Sequence, residues 1–285
     1  MIETAPSGLT AELRRIKGFV LEALAEEAEG DDEIPGGGLG TIVGGCWTRT
    51  IDAGPYTTIK VGDVKPDLTK MLKGDLLYWL WRLRAASVTT PDEEPGPWGP
   101  GDWYHFETKC IECKHQYPWR VLLSSMKIQK LPEASAEQLL TGDGRFTTTV
   151  DGREYTFELA KVEQESAMQK LRKQQKRVAA TKIDRITQQT VSIEGLKSQD
   201  IRKRYEHIRA LDNPDLQALE KAYDAADCGI DTSFHTKCPR PGCRWVQETE
   251  LPLGKGFFAP KRPYGAEPEP TEEDEETMAG DLAVP

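Results

Sequence analysis

Two segments far apart in this 285-residue chain carry nearly the same text, and each contains a closely spaced cysteine pair. The first reads Phe106-Glu-Thr-Lys-Cys110-Ile-Glu-Cys113, and the second reads Phe234-His-Thr-Lys-Cys238-Pro-Arg-Pro-Gly-Cys243. Strand-like residues before and after each pair place the cysteines in the turns of two β-hairpins, at 104–123 and 232–253. Two such turns supply four thiolates, which is the complete tetrahedral ligand set of a structural Zn²⁺. The sequence therefore predicts a zinc-ribbon-like clasp whose ligands are Cys110, Cys113, Cys238 and Cys243.

Other uses of these cysteines are less favoured. Paired spacings in a long chain without a secretory signal point to metal binding rather than disulfides. A redox motif would need its Cys-x₂-Cys at the start of a helix, whereas strand-like sequence surrounds Cys110. His115 and His235 could each replace one thiolate, but four cysteines make surface positions the better prediction for both. Cys46 and Cys228 lie outside the pairs and are expected to be small buried apolar residues.

Charge is distributed unevenly along the chain. The formal net charge is −10, but residues 265–285 hold eight Asp and Glu and no Lys or Arg. The rest of the chain has 37 basic and 39 acidic residues and is nearly neutral. A neutral body gives no overall argument for nucleic-acid binding. No signal peptide or membrane-spanning run is evident, because the longest apolar stretch is short, so we expect no membrane partner and a reducing cytoplasm.

The pattern of apolar residues divides the chain into four parts. Residues 1–30 are predicted to contain an amphipathic helix, with apolar side chains at three- and four-residue intervals from Leu9 to Leu24. The glycine-rich stretch 31–45 is interpreted as a flexible linker. An α+β body follows over 46–262, and the acidic segment 263–285 is predicted to be disordered, so both termini are expected to be flexible.

Within the body, the patterns indicate a mixture of helices and β-hairpins. A helix is expected from Pro66 through Leu83, and Asp151-Gly152 predicts a two-residue hairpin turn between strands at 146–150 and 154–159. A short strand should end at Gly195, Ser198 should cap the next helix, and Asn213-Pro214 should open another. The predicted fold class is α+β with a four-cysteine clasp.

A basic run at 166–186 is the second feature that bears on function. It contains seven Lys and Arg against the single acid Asp184 and is read as one helix. Clustered cations suit phosphate contacts, but few aromatic residues interleave them for base stacking. A solvated face or a surface for an acidic protein partner explains the run as well. No sequence signature of a hydrolase, nucleotide-binding loop or metalloprotease is present, so nothing requires an active site.

Several motifs occur along the chain in a fixed order. They are Cys46-Trp-Thr-Arg-Thr-Ile-Asp-Ala-Gly-Pro-Tyr56, Leu72-Lys-Gly-Asp-Leu-Leu-Tyr78, Trp81-Arg-Leu-Arg84, the first cysteine pair, Asp227-Cys-Gly-Ile-Asp-Thr232, the second cysteine pair, and Glu250-Leu-Pro-Leu-Gly-Lys-Gly-Phe-Phe-Ala-Pro260. In this order they resemble the T-even-type baseplate protein family of tailed bacteriophages, over roughly residues 8–260. The lengthened second cysteine pair and the acidic tail depart from that pattern.

The resemblance implies a non-enzymatic role in the phage tail or baseplate hub, with structural cysteines. Partners would be other tail or baseplate proteins, such as hub, tape-measure or tail-tube components. The protein would be found in the virion tail or in the host cytoplasm during assembly. Candidate contact surfaces are the N-terminal helix and an aromatic strip at Gly256-Phe257-Phe258, although ordinary core packing explains Phe257 and Phe258 slightly better. The alternative is a zinc-ribbon regulator that binds nucleic acid through the basic run 166–186.

Overall fold

The computed structural model describes residues 1–18, 36–89, 93–175, 181–252 and 257–258. Within these ranges the chain is a mixed α+β fold, as predicted, with small antiparallel sheets instead of one large sheet. The strands are β1 (Ile2–Thr4), β2 (Thr10–Leu13), β3 (Trp47–Asp52), β4 (Trp103–Lys109), β5 (Gln116–Leu122), β6 (Ile128–Gln129), β7 (Arg145–Val150), β8 (Arg153–Glu158), β9 (Thr190–Ile193), β10 (Gly229–Ile230), β11 (Ser233–Lys237) and β12 (Val246–Glu250). The helices are α1 (Gly36–Cys46), α2 (Lys73–Ser87), α3 (Glu133–Thr141), α4 (Glu165–Gln174), α5 (Lys182–Gln189), α6 (Ile201–Arg209) and α7 (Asn213–Ala226).

The N-terminal segment forms strands where an amphipathic helix was predicted. β1 and β2 make a hairpin, and β2 pairs with β3 in a three-stranded sheet. Leu9, Ala11 and Leu13 are all buried, so the apolar residues follow the two-residue period of a half-buried strand. Pairing with β3 outweighs the helical spacing that the same leucines also satisfy. The prediction of a helix is wrong for residues 8–17, which form β2 and the irregular backbone on either side of it, and residues 19–30 of that prediction lie outside the described residues.

The glycine-rich stretch contains a helix, so the prediction of a linker is wrong over 36–45. Glycine lowers helix propensity by about 1 kcal/mol per residue relative to alanine. In α1, Ile42, Val43 and Cys46 are fully buried in the main core, and this tertiary burial overcomes the poor propensity. Residues 31–35 of the predicted linker lie outside the described residues, as does the predicted disordered tail 263–285.

Helix α2 is the centre of the main core. Four of its side chains are almost completely buried: Trp79, Leu80, Trp81 and Leu83. Helix α1, the sheet β1-β2-β3 and the β4–β5 hairpin pack around them. The helix begins later than the sequence predicted, because Leu68–Lys70 is a separate 3₁₀ turn. The start of the helix bonds to another segment instead: Lys73 N donates to Ala160 O at 2.7 Å, and Met71 O accepts from Val162 N at 3.2 Å.

The aromatic strip belongs to this core. Phe257 and Phe258 are 1% and 5% exposed, so the preferred interpretation of both as core residues is confirmed and the alternative of an exposed contact surface is wrong. The Phe257 ring packs edge-on against Tyr104, with ring centroids 5.0 Å apart. Buried Arg84 donates to the Phe257 carbonyl and to those of Gly101 and Trp103, and desolvation lowers the pKa of its guanidinium to about 10.

A second core lies between the sheet β7-β8-β9 and helices α5 to α7. The predicted hairpin is confirmed, since Asp151 and Gly152 have φ values of 48° and 68° and connect β7 to β8. β9 joins the same sheet by pairing with β8, and α7 begins at Asn213 as expected. Asp200, not Ser198, caps α6: its carboxylate accepts from Lys203 N, and the Ser198 hydroxyl donates to that carboxylate.

The basic run is not one helix. α4 ends at Gln174, and α5 begins after Thr181, which forms a capping box with Asp184. Lys182 and Arg185 form ion pairs with Glu220 on α7, and Arg185 also pairs with Asp224. Arg172 is 9% exposed. Three of the seven cations that suggested a phosphate-binding face are therefore paired or buried within the protein itself.

Asp227, at the end of α7, gives a testable pH dependence. Desolvation raises the pKa of its carboxyl to about 6, and the side chain accepts a hydrogen bond from Gln189 Nε2 at 3.1 Å. Because the folded state retains this proton to a higher pH than the unfolded state, the stabilisation is present below about pH 4 and is lost as the pH rises to about 6. Relative to Asp227→Asn, the wild type should lose about 1–3 kcal/mol of unfolding free energy between pH 4 and 7. Urea denaturation across this range measures it, and parallel curves for the two proteins would contradict the assignment.

Candidate metal centre

Each cysteine pair lies at the turn of a two-stranded antiparallel hairpin, as the sequence predicted. In the first hairpin β4 pairs with β5, and the last strand pair before the turn is Lys109 with Gln116. In the second, β11 pairs with β12, and the corresponding pair is Lys237 with Val246. The strands thus end immediately before the first cysteine of each pair, and the turns project four sulfur atoms from the hairpin ends.

The two turns share one backbone design despite their different lengths. Cys110 N donates to His115 O at 2.9 Å, and Cys238 N donates to Trp245 O at the same distance. The residue after the second cysteine has a positive φ in both turns, 59° at Lys114 and 51° at Arg244. The two extra residues of the second turn fit between these fixed points, so the lengthened spacing does not prevent its cysteines from facing the first pair.

The four sulfur atoms converge on one point. All of them lie within 4.8 Å of one another, and the separations across the hairpins are 3.8 Å for Cys110 to Cys243 and 3.7 Å for Cys113 to Cys238. Four sulfurs at the usual 2.3 Å from a tetrahedral zinc would be about 3.8 Å apart. All four thiols are free, and Cys110 and Cys238 are buried. The arrangement is compatible with a metal site.

The other candidate ligands are elsewhere. His115 and His235 are exposed, and neither belongs to the four-cysteine cluster. Cys46 and Cys228 are buried in the main core, which confirms the interpretation of both as small apolar residues.

The electrostatics of the cluster favour a bound cation. The backbone N–H of His115 points at Cys113 and lowers the pKa of that thiol to about 6. Desolvation raises the pKa of Cys238 to about 12; hydrogen bonds to the other three cysteines act in the same direction, and the Arg240 backbone N–H opposes it. Four thiols this close cannot all ionise unless a positive charge lies between them, and a divalent metal supplies that charge.

Contacts between the hairpins align the two turns. Phe106 and Phe234, the first residues of the repeated text, meet edge-on with ring centroids 5.6 Å apart. Tyr117 donates through its hydroxyl to Thr236 Oγ1 at 3.1 Å. Phe106 and Phe234 occupy equivalent positions of the repeated sequence, so their contact gives the repeat a structural role beyond the cysteines.

Gln247 is a residue that the sequence interpretation missed. Its side chain is nearly buried and bridges the hairpins: Oε1 accepts from Ile111 N at 2.8 Å, and Nε2 donates to Lys109 O at 3.0 Å. Gln247 and Tyr117 each follow the second cysteine of their pair by four positions. That common offset is the signal that could have identified both as bridging residues.

Replacing Gln247 by Leu should destabilise the protein by about 1–3 kcal/mol, because the backbone groups of Ile111 and Lys109 lose their buried partner. Glu248→Leu is a matched control, since Glu248 is exposed on the same strand. Chemical denaturation with the metal bound measures both. Equal effects of the two substitutions would contradict a bridging role.

A second buried polar cluster lies at the start of α2. Asp75 is fully buried and accepts hydrogen bonds from Ser7 N at 3.0 Å, from the Ser7 hydroxyl and from Tyr56 OH at 2.6 Å. Cys228 Sγ is 3.9 Å from the same carboxylate. Burial raises the pKa of Asp75, and hydrogen bonds from Ser7 and Tyr56 oppose that shift. The network ties the N-terminal segment, the loop after β3, α2 and the segment after α7 together.

Comparisons with known proteins give no family. No protein-family model matches the chain, and neither a curated protein nor a solved structure matches it. The chemistry of the centre is therefore inferred from its own geometry. The cluster offers four cysteine sulfurs to one ion, which is the ligand number of structural metal sites.

Across the described parts of the chain, no helix combines the length and apolar character needed to cross a lipid bilayer.

Proposed function

We propose that the four-cysteine cluster binds a structural Zn²⁺ that fastens the β4–β5 hairpin to the β11–β12 hairpin. The sulfur separations of 3.7 and 3.8 Å support zinc because they equal the edges of a zinc–thiolate tetrahedron, about 3.8 Å. Cys110 and Cys238 come from segments on either side of the α4–α7 region. The metal would therefore hold that intervening region against the main core.

We further propose that the protein is a non-enzymatic structural or assembly protein of a phage tail or baseplate hub. The observation that carries this proposal is the meeting of the resembling motifs inside the protein. Tyr56, Asp75 and Cys228 come from three of these motifs and join in one buried network. Because these motif residues contact one another in a buried core, they stabilise the shape of the protein. This is expected of a protein that acts through contacts with other proteins.

The packing around Gly74 supports the same argument. A Cβ atom at Gly74 would lie 1.9 Å from the Cys228 carbonyl oxygen, so the motifs at 72–78 and 227–232 touch backbone to backbone. Glycine is the residue that allows such an approach. We infer that contacts between these motifs set the shape of the protein. The protein would act in the virion tail or in the host cytoplasm during assembly.

Mass spectrometry of purified virions, together with a pull-down of the tagged full-length chain from an infected lysate, tests this role. We expect tail or baseplate proteins, such as hub, tape-measure or tail-tube components, to co-purify and to stay bound at high salt. Absence of the chain from virions and of every tail protein from the pull-down would refute the proposal.

The nucleic-acid alternative predicts a different result. Its basic run is split, and Lys182 and Arg185 are paired to α7. Binding of duplex DNA with a steep decline as salt increases would favour that alternative, because each phosphate contact releases counterions. We expect no sequence-specific binding and only weak binding at physiological salt.

A further inference from the structure

The outer end of the metal clasp exposes apolar side chains. We call residues 109–115 and 237–246 the knuckle tip. Ile111, Trp245 and Val246 are 60%, 45% and 54% exposed. They come from both hairpins, whose ends meet at the cysteine cluster. Exposed apolar side chains grouped at one end of a domain are typical of a surface that contacts a partner.

The same surface is basic. Five exposed cations occupy the knuckle tip, against the single acid Glu112: Lys109, Lys114, Lys237, Arg240 and Arg244. Within the described part of the chain, none of the five forms an ion pair with a carboxylate. A zinc ion with four thiolates carries a charge of about −2, which leaves the surface positive. Lys114 and Arg244 also occupy the equivalent positive-φ positions of the two turns, where glycine would be favoured.

The complementary charge is in the chain's own C-terminal segment. Residues 267–281 contain eight Asp and Glu, five of them consecutive at 272–276, and no Lys or Arg. Phe258, at the end of the described chain, is buried in the main core with Phe257 beside Tyr104. Tyr104 lies six residues before Cys110, so the tip is roughly 20 Å away along β4. Residues 259–266 can span up to about 26 Å, which is enough to reach it.

We propose that the acidic segment 267–281 docks on the knuckle tip of its own chain. The run of acids at 272–276 pairs with Arg240, Arg244 and Lys114, and covalent linkage gives the segment an effective concentration in the millimolar range. The tip is then covered until a partner with a stronger acidic surface displaces the segment. This inference goes beyond the proposed function and does not depend on the identity of a tail partner.

The test uses a fluorescent synthetic peptide of residues 265–285 and the metal-loaded full-length protein. Fluorescence anisotropy compares the wild type with a variant whose own acids are neutralised (E272Q, E273Q, D274N, E275Q and E276Q). We expect the neutralised variant to bind the peptide at least about tenfold more tightly, because no internal segment competes. Binding should weaken steeply as salt increases. Equal affinity of the two proteins, or no binding to either, would overturn the proposal.

Charge reversals locate the docking surface. In the neutralised background, R240E with R244E should reduce peptide affinity at least about tenfold. K170E with K173E makes the same charge change on the exposed face of α4 and should alter affinity by less than about threefold. An equal loss in the α4 variant would overturn the location at the tip. A single-stranded oligonucleotide is a second anionic probe of the knuckle tip. If it bound the wild type and the neutralised variant with equal affinity, the acidic segment would not cover the tip, and the proposal would be overturned.

A second measurement on the wild-type chain does not depend on an added peptide. A glutamate-specific protease should cleave at 272–276 slowly in the wild type and several times faster in R240E with R244E. Metal content and circular dichroism establish that the variant is folded. Identical cleavage rates in the two folded proteins would contradict docking.

Discussion

Replacing Cys238 by Ser is expected to release the metal and to lower the melting temperature by about 20 °C or more. Structural zinc sites contribute on the order of 10 kcal/mol to folding, and a domain of this size changes its melting temperature by about 2–4 °C per kcal/mol. The effect should extend beyond the turns, because Phe106 and Phe234 connect the two hairpins to the main core. Zinc analysis and scanning calorimetry of the purified full-length chain measure both parts of this result.

Cys46→Ser is the matched control for that experiment. Cys46 is fully buried but lies outside the cluster, so this variant should lose only about 1–3 kcal/mol and keep one equivalent of zinc. A strong chelator added to the wild type should reproduce the Cys238→Ser result. A Cys238→Ser protein that retains its zinc and its melting temperature would rule out the structural metal.

Replacing Gly74 by Ala is expected to destabilise the protein by about 3 kcal/mol or more. The added Cβ would lie 1.9 Å from Cys228 O and 2.7 Å from Cys228 C and Gly229 Cα. All three are backbone atoms, so no change of rotamer relieves the overlap. The helix would have to move away from the segment after α7, and Asp75 would move with it. Chemical denaturation at constant metal content measures the loss.

Gly40→Ala provides the control, because Gly40 is also helical and a Cβ there meets no atom of the described residues within 4 Å. This substitution should leave stability unchanged or raise it by about 0.5–1 kcal/mol through better helix propensity. If both variants were equally stable, the close approach of α2 to Cys228 would be contradicted.

Local patterns in the sequence predicted the elements whose partners are close in the chain. The Asp151-Gly152 turn, the start of α7 and the two hairpins around the cysteine pairs all form where they were expected. Each depends on turn chemistry or capping within a few residues, so a single sequence contains the information. Ser198 was close, but Asp200 two residues later provides the cap.

Elements whose conformation depends on distant partners were predicted incorrectly. Leu9 and Leu13 fit a helical period, but they form a strand because β3 is available to pair with β2. The glycines of α1 suggest a linker, but burial of Ile42 and Val43 in the core makes the segment a helix. The basic run appears uniform in sequence, yet Glu220 and Asp224 of α7, about 35–40 positions away, form ion pairs with Lys182 and Arg185. Periodicity and charge counts carry no information about such partners.

The sequence by itself was enough to identify the four cysteines of the candidate metal centre, because the same short motif occurs twice and each copy forms its own hairpin. Only the tertiary structure decided that the four sulfur atoms meet, with Gln247 and Tyr117 aligning the hairpins around them. It also decided that Tyr56, Asp75 and Cys228 share one buried network. The physical reason is the range of the interactions. Turns and caps are set by neighbouring residues, whereas a cluster of four sulfur atoms and a hydrogen-bonded buried carboxylate need groups that only the folded chain brings together.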